Sequence, residues 1–301
     1  MKSIKSIRKE FKEHGVFYTP KALAEKMRSY IDYEPTSVYD PTCGAGSLLS
    51  AFDDNVQKYG QELDESQLGL INLPNFTGYV GDTLEDDGFT SLKFNCIVAN
   101  PPFSIRWSPE KHAADPRFKE LPVLPPPSKA DWAFMAHILY HLDNKGKAVI
   151  LEFPGILYRG QREYKVRRWF CENNFVERIA EIDGGVFEDT AIATCLIVLS
   201  KAKQDTGIIF ERKGKTRTVS FEEISENDFT LSPSCYIPDE IEEKNFDPAE
   251  LETEARRSFL GRVEKELSFE KMVCSIEGYD MKPFLTDIKS LIDRYLEEGQ
   301  R

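Results

Sequence analysis

The sequence predicts an α/β fold: a mainly parallel seven-stranded sheet with helices on both faces and an antiparallel hairpin at its edge. Seven short apolar runs begin at Ser37, Tyr59, Gly78, Asn95, Lys147, Val176 and Ala193, and helical stretches such as 129–142 and 160–172 separate most of them. That alternation builds a parallel sheet covered on both sides. The last two runs are only about ten residues apart, across Gly184-Gly185, too few for a crossover helix, so they pair antiparallel. A chain of 301 residues buries a sufficient core without disulfide or metal staples.

Taken in order, residues 1–32 read as a helical element. Ile4, Ile7 and Phe11 recur at helical spacing among Lys2, Lys5, Arg8, Lys9 and Lys12, and Thr19-Pro20 restarts a helix as cap and first-turn proline. Residues 33–203 carry the strand and helix alternation. Within them the proline-rich stretch 101–128 follows a strand end, where α/β sheets bind ligands, and loops of that length are functional or mobile. Residues 204–238 form a short β-like extension. Residues 239–301 hold 17 acidic and 10 basic side chains on helical patterns, a net of −7, and read as a helical appendage or partner-docking element.

Composition narrows the function. No run approaches 18 uninterrupted apolar residues, so a spanning helix is not expected. The charged N-terminus lacks the apolar core of a signal peptide, which predicts a cytoplasmic protein. Six cysteines lie 24 to 75 residues apart with no CxxC pair, so reduced thiols are expected rather than a zinc or redox site. A net charge of −12 opposes a polyanion lying on the surface unaided, so a nucleic-acid enzyme of this charge needs a local basic patch or a basic partner.

The chemistry concentrates at predicted strand ends. Val38-Tyr-Asp-Pro-Thr-Cys-Gly-Ala-Gly-Ser-Leu-Leu reads as a strand ending in Asp40, a turn through Gly44 and Gly46, and an apolar helix whose N-terminus offers unpaired N–H groups. Alone, two glycines serve steric needs as readily as a ligand. The next strand ends at Glu62, which can accept both hydroxyls of a ribose, and the third at Asp82, which can accept an adenine amine. Three acids at successive strand ends describe a site for an adenosine-containing ligand; the alternative for Asp82 and Asp64 is helix N-capping. The fourth strand ends in Asn100-Pro-Pro-Phe. A diproline fixes the Asn100 carboxamide and the neighbouring carbonyl as acceptors, while Phe103 offers a face to a flat ring. Two acceptors on the hydrogens of a ring-conjugated amine take up its developing positive charge, which suits transfer to a planar NH2 group. Asn-Pro is also a common turn.

Arg159, Arg162, Lys165, Arg167, Arg168 and Arg178 crowd into 20 residues with Tyr158 and Trp169 interleaved, the best candidate phosphate patch, against the plainer reading of a solvated helix face. His137 and His141 lie four apart on a predicted helix, but no third ligand is in view and no metal is expected.

Phe17-Tyr-Thr-Pro, Asp40-Pro-Thr-Cys-Gly-Ala-Gly, Gly60-Gln-Glu-Leu-Asp, Gly81-Asp-Thr-Leu and Asn100-Pro-Pro-Phe, in this order and spacing, resemble the adenine-N6 DNA methyltransferases, above all the modification subunits of type I restriction systems. The resemblance continues through Pro126-Pro-Ser-Lys-Ala-Asp-Trp-Ala-Phe, Leu157-Tyr-Arg-Gly and Gly185-Val-Phe-Glu-Asp-Thr, and covers roughly residues 11–203. It implies a Rossmann-like methyltransferase fold with S-adenosylmethionine as cofactor. Tyr18 and Thr19 would bind it, Thr19 at the methionine carboxylate. Asp40, Thr42, Cys43, Gly44 and Gly46 would line its methionine and sugar portion, Glu62 would hold the ribose and Asp82 the adenine. Asn100, Pro101, Pro102 and Phe103 would be the catalytic tetrad, with Phe103 and Phe187 stacking an extruded base, because a paired base cannot offer its N6 to a donor in a cleft. Phe187 reads alternatively as hairpin core.

The resemblance also implies DNA as substrate, a specificity subunit as partner and a restriction subunit as a further one. Only 18 residues precede the Thr-Pro motif, no segment looks like a target-recognition domain and the tail is acidic, so sequence choice is expected in a separate chain, or in the 101–128 loop plus the tail. Methylation of a protein glutamine or an RNA base, and a non-catalytic cofactor-binding assembly subunit, are the alternative functions.

Overall fold

The computed structural model describes residues 19–182, 194–239 and 248–298, which fall into two compact units, 1–239 and 240–301. In the first unit, strands β1 (Ser37–Asp40), β2 (Gln57–Glu62), β3 (Phe76–Val80), β4 (Phe94–Ala99), β5 (Leu142–Glu152), β6 (Val176–Ile182), β7 (Thr194–Ser200), β8 (Ile208–Arg212) and β9 (Lys215–Val219) form one sheet in the order β3-β2-β1-β4-β5-β7-β6-β8-β9. The first five run parallel, β7 is antiparallel to both neighbours, β8 is parallel to β6, and β9 returns antiparallel.

Successive side chains of a strand face opposite sides, and the core divides accordingly. Tyr39, Ile97, Ala99, Ala148 and Ile150 pack on one face beneath α3 (Asp131–His141) and α4 (Gln161–Glu172). Val38, Cys96, Val98, Val149 and Leu151 pack on the other with Leu23, Ala24 and Met27 of α1 (Lys21–Ser29).

The sheet differs from the expected one in extent. It has nine strands among the described residues, and the β6–β7 hairpin lies inside it, because β8 pairs along the far side of β6. Ile208 and Phe210 of β8 are buried in the α3–α4 core, so the stretch after residue 203 completes the sheet. The apolar helix expected after Gly46 is absent: Leu49–Ala51 makes a single 3-10 turn, since Asp53-Asp54-Asn55 ends the run before β2. Nor does Thr19 cap α1, whose cap position is Pro20; the first helix expected in 1–32 lies outside the described residues.

The 101–128 stretch is folded. Trp107 and Phe118 bury against Ala130, Ala133 and Phe134. Arg117 donates to the carbonyls of Thr83 at 2.7 Å and Leu84 at 2.6 Å. Among the described residues the second unit contains two helices, α7 (Pro248–Glu277) and α8 (Lys282–Glu298), following the short α2 (Glu65–Leu68), α5 (Phe221–Glu226) and α6 (Pro233–Tyr236) of the first. No helix of the described residues is long and apolar enough to cross a membrane.

Candidate active site at the carboxyl edge of the sheet

β1 is flanked by β2 on one side and β4 on the other, so the connections that leave their carboxyl ends diverge and open a crevice there. A cavity of about 390 Å³ occupies it, lined by Thr19, Asp40, Thr42, Cys43, Gly44, Glu62, Asp82, Asn100, Pro101 and Pro102. Ile105 and Phe134 also line it; Phe134 closes the Pro126-Pro-Ser-Lys-Ala-Asp-Trp-Ala-Phe segment without having been given a site role, and nothing in the local pattern marks Ile105, because the folding of the 101–134 stretch brings both there. Gly46 and Phe103 are outside the lining. Tyr18 and Phe187 are outside the described residues.

The turn after β1 is tied down by acids rather than by a helix. Thr42 N–H donates to Asp40 Oδ1 at 3.0 Å. Gly44 N–H donates to Glu62 Oε2 at 2.8 Å, and the amides of Leu63 and Asp64 donate to Glu62 Oε1 at 2.9 and 3.1 Å. Both lone pairs of Oε1 are thereby engaged, and Oε2 keeps one for a ligand hydroxyl. Gly44 holds φ +52° and Gly46 φ +83°, and a Cβ on Gly60 would stand 2.7 Å from Cys43 Sγ, so these three glycines are required by the backbone. Burial pushes Asp40 up to about 8, and the Glu62 charge adds to this while the Thr42 amide opposes it. Burial likewise pushes the Cys43 thiol up, so it is not a nucleophile.

Asp64 does cap α2, its Oδ1 accepting from Ser66 N–H at 2.9 Å, and it lines the cavity as well. Asp82 is placed in the same way: its Oδ1 accepts from Leu84 N–H at 2.9 Å and it lines the cavity.

Asn100 leaves β4 with its Nδ2 donating to Thr19 Oγ1 at 3.2 Å. That bond turns Oδ1 of the carboxamide away from Thr19. Phe103 is half-buried against Phe153, ring centroids 4.3 Å apart and tilted by 52°, so the expected open stacking face is partly covered.

The basic cluster on and around α4 is mostly spoken for. Arg167 is 1% exposed: its Nε donates to the Phe229 carbonyl at 2.7 Å and a second nitrogen to the Arg159 carbonyl at 2.8 Å. It cannot reach a phosphate, and its role is structural. Arg159 faces Asp131 and Glu163, Arg168 pairs with Glu172 at 2.7 Å, and Arg178 pairs with Glu211. Arg162 and Lys165 are the cluster's exposed cations without an ion pair among the described residues.

His137 and His141 do gain a third neighbour, Asp87. Every ring nitrogen is already engaged, however: His137 by Tyr39 and Arg117, His141 by the Leu92 carbonyl and Asp87. An arginine 3.1 Å from His137 opposes a cation there, and burial first of all pushes His137 well below the usual histidine range. The group is a hydrogen-bonded core network.

Residues 5–216 match the family model described as N-6 DNA Methylase. The chain is 35% identical over 239 residues to the type I restriction enzyme MpnII methylase subunit of Mycoplasma pneumoniae, covering 69% of this chain and 44% of that protein. It spans about half the length of the curated relatives it matches. A type I restriction-modification system methyltransferase subunit from Streptococcus thermophilus superposes with a TM-score of 0.67 at 29% identity, covering 72% of this chain and 58% of that one. A Listeria monocytogenes protein described as a class I S-adenosylmethionine-dependent methyltransferase shares the fold, with a TM-score of 0.52 at 17% identity over 71% of this chain and 70% of that one.

Proposed function

This chain belongs to the N-6 DNA methylase family, and we propose that it transfers a methyl group from S-adenosylmethionine to the N6 amine of adenine in DNA, as the modification subunit of a type I restriction-modification system. The observation that carries the reading is one cavity shared by three strand-end acids and the Asn100-Pro101-Pro102 turn.

The donor set fits the cofactor. Glu62, fixed by three backbone amides, keeps a lone pair on Oε2 for a ribose hydroxyl; Asp82 would face the adenine amine; Asp40, Thr42, Cys43 and Gly44, in the turn that Gly46 shapes, would take the cationic methionine end, with Thr19 and, by the family resemblance, Tyr18 at its carboxylate. When bound, S-adenosylmethionine supplies an activated methyl group. Asn100 Oδ1 and the neighbouring carbonyl accept the two N6 hydrogens of the extruded adenine, drawing the amine toward tetrahedral geometry and stabilising the charge that develops on it. Phe103 and Phe187 hold the ring. An anionic carboxylate takes the Thr19 hydroxyl hydrogen, which leaves the hydroxyl oxygen to accept from Asn100 and keeps Oδ1 aimed at the target amine.

Arg162 and Lys165, with the exposed Arg106 three residues past the tetrad's last member, supply phosphate contacts. So few cations on a chain of net charge −12 call for a specificity subunit that brings basic surface and sequence choice. A restriction subunit joins the same assembly.

The test is Asn100→Ala assayed for transfer of labelled methyl groups to DNA with the specificity subunit present. Transfer falls at least about a thousandfold while cofactor binding by calorimetry stays within about threefold. A rate equal to wild type would sink the catalytic assignment.

A further inference from the structure

Ser104 follows the tetrad immediately and holds φ +53°, a left-handed conformation that turns normally give to Gly or Asn. A residue with a side chain stays there only where its surroundings over-determine it. Ser104 N–H donates to Asp131 Oδ1 at 3.1 Å, Lys129 Nζ lies 3.4 Å from Ser104 Oγ, and the next residue, Ile105, accepts at its carbonyl from Ala130 N–H at 2.9 Å. The Ser-Lys-Ala-Asp stretch is therefore stitched to the tetrad's exit.

Asp131 opens α3, yet its side chain is fully buried and its Oδ1 goes to Ser104 rather than to its own helix. Its other oxygen lies 3.5 Å from Arg159, which also stands 3.2 Å from Glu163. Glu152, buried at the end of β5, completes the group; burial first, then the nearby Asp131 charge, pushes Glu152 well above the usual carboxylate range. Phe153, the residue after Glu152, is the one that packs on Phe103.

We infer that Asp131 is a positioning residue: it pins Ser104 in the left-handed conformation and so sets the direction in which Asn100-Pro-Pro-Phe leaves the sheet, with the Arg159 charge 3.5 Å from its second oxygen. The inference rests on the proposed methyl transfer at that tetrad. Arg159 thereby faces buried acids behind the tetrad's exit rather than serving as a phosphate contact.

The test compares full-length wild type, Asp131→Ala, Asp131→Asn and the double variant Asp131→Ala with Ser104→Gly. In the free protein, the Ser104 amide is protected from hydrogen exchange in wild type and loses protection in Asp131→Ala. In turnover with the specificity subunit present, Asp131→Ala lowers kcat about a hundredfold, the usual cost of a misplacement near 1 Å, while KM for the cofactor stays within about twofold. Asp131→Asn keeps an acceptor and the side-chain volume and loses less than about tenfold. Adding Ser104→Gly to Asp131→Ala recovers about tenfold, because glycine adopts the conformation unaided. Unchanged exchange protection would overturn the inference, as would a kcat loss matched by a rise in KM and not recovered by glycine. Asn100→Ala run alongside separates the failures. Full activity there overturns the tetrad itself, whereas activity lost there and kept in Asp131→Ala overturns only the role of Asp131.

Discussion

Asp40 shows how burial decides what a motif residue does before any ligand arrives. It is 2% exposed at the end of β1, and desolvation pushes it up to about 8, against an ordinary value of 3.8. The folded state therefore holds a proton that the unfolded state releases between these two values. Stability contributed by this group is complete below about pH 4 and declines as pH rises toward 8, at up to about 1.4 kcal/mol for each unit of the interval. Asp40→Asn removes the titration. Thermal melts of the cofactor-free protein at pH 6 and pH 8 are expected to show a smaller loss of midpoint in Asp40→Asn than in wild type; equal losses would contradict the burial argument. A cation at this carboxylate favours its charged form, so cofactor binding at Asp40 also releases a proton, and affinity in wild type strengthens from pH 6 to pH 8 while that of Asp40→Asn does not.

At the scale of elements, legibility followed locality. β1, β2 and β4, with Asp40, Glu62 and Asn100 at their ends, were readable because an apolar run, a polar side chain and a glycine or proline turn lie within a dozen residues of each other. The place of β8 was not, since its partner β6 lies some thirty residues upstream and only the pairing of Ile179 with Phe210 reveals it. Arg167 escaped for the same reason. A cationic helix face looks solvated until Phe229, from beyond β9, lays its carbonyl across it. Asp131 stood in a motif that was noticed, but its Ser104 partner needed the fold. Arg167 thus pins α4 to the extension. Arg167→Met is expected to destabilise the first unit by about 2–3 kcal/mol, because charge-assisted hydrogen bonds to buried carbonyls are lost and those carbonyls are left without donors. Chemical denaturation measures the loss. The salt dependence of DNA binding is expected to stay as in wild type, whereas Arg162→Ala flattens it by about one phosphate contact. A flatter salt slope in Arg167→Met would return it to the DNA surface.

In the molecule as a whole, the cavity lies in the first unit, and the described residues of the second are two helices with many exposed apolar side chains. Along α8, Phe284, Leu285, Leu291, Ile292, Tyr295 and Leu296 are all exposed, at the three- and four-residue spacing of a helix that packs against others. The stretch 239–301 is acidic, net −7. An apolar face this broad, flanked by acids, suits helices of a partner with basic flanks, and the specificity subunit of the proposed function is the partner we assign to it. The first unit contains the sheet, both core layers and the whole cavity within residues 19–239. Removing 240–301 is therefore expected to leave a cooperative thermal transition and S-adenosylmethionine affinity within about twofold of the full chain, since no cavity residue is touched. It is also expected to abolish co-purification with the specificity subunit and, with it, methylation of DNA. Binding of the partner by the shortened chain would place the docking surface on the first unit instead, and loss of cofactor affinity would mean that the two units do not fold independently.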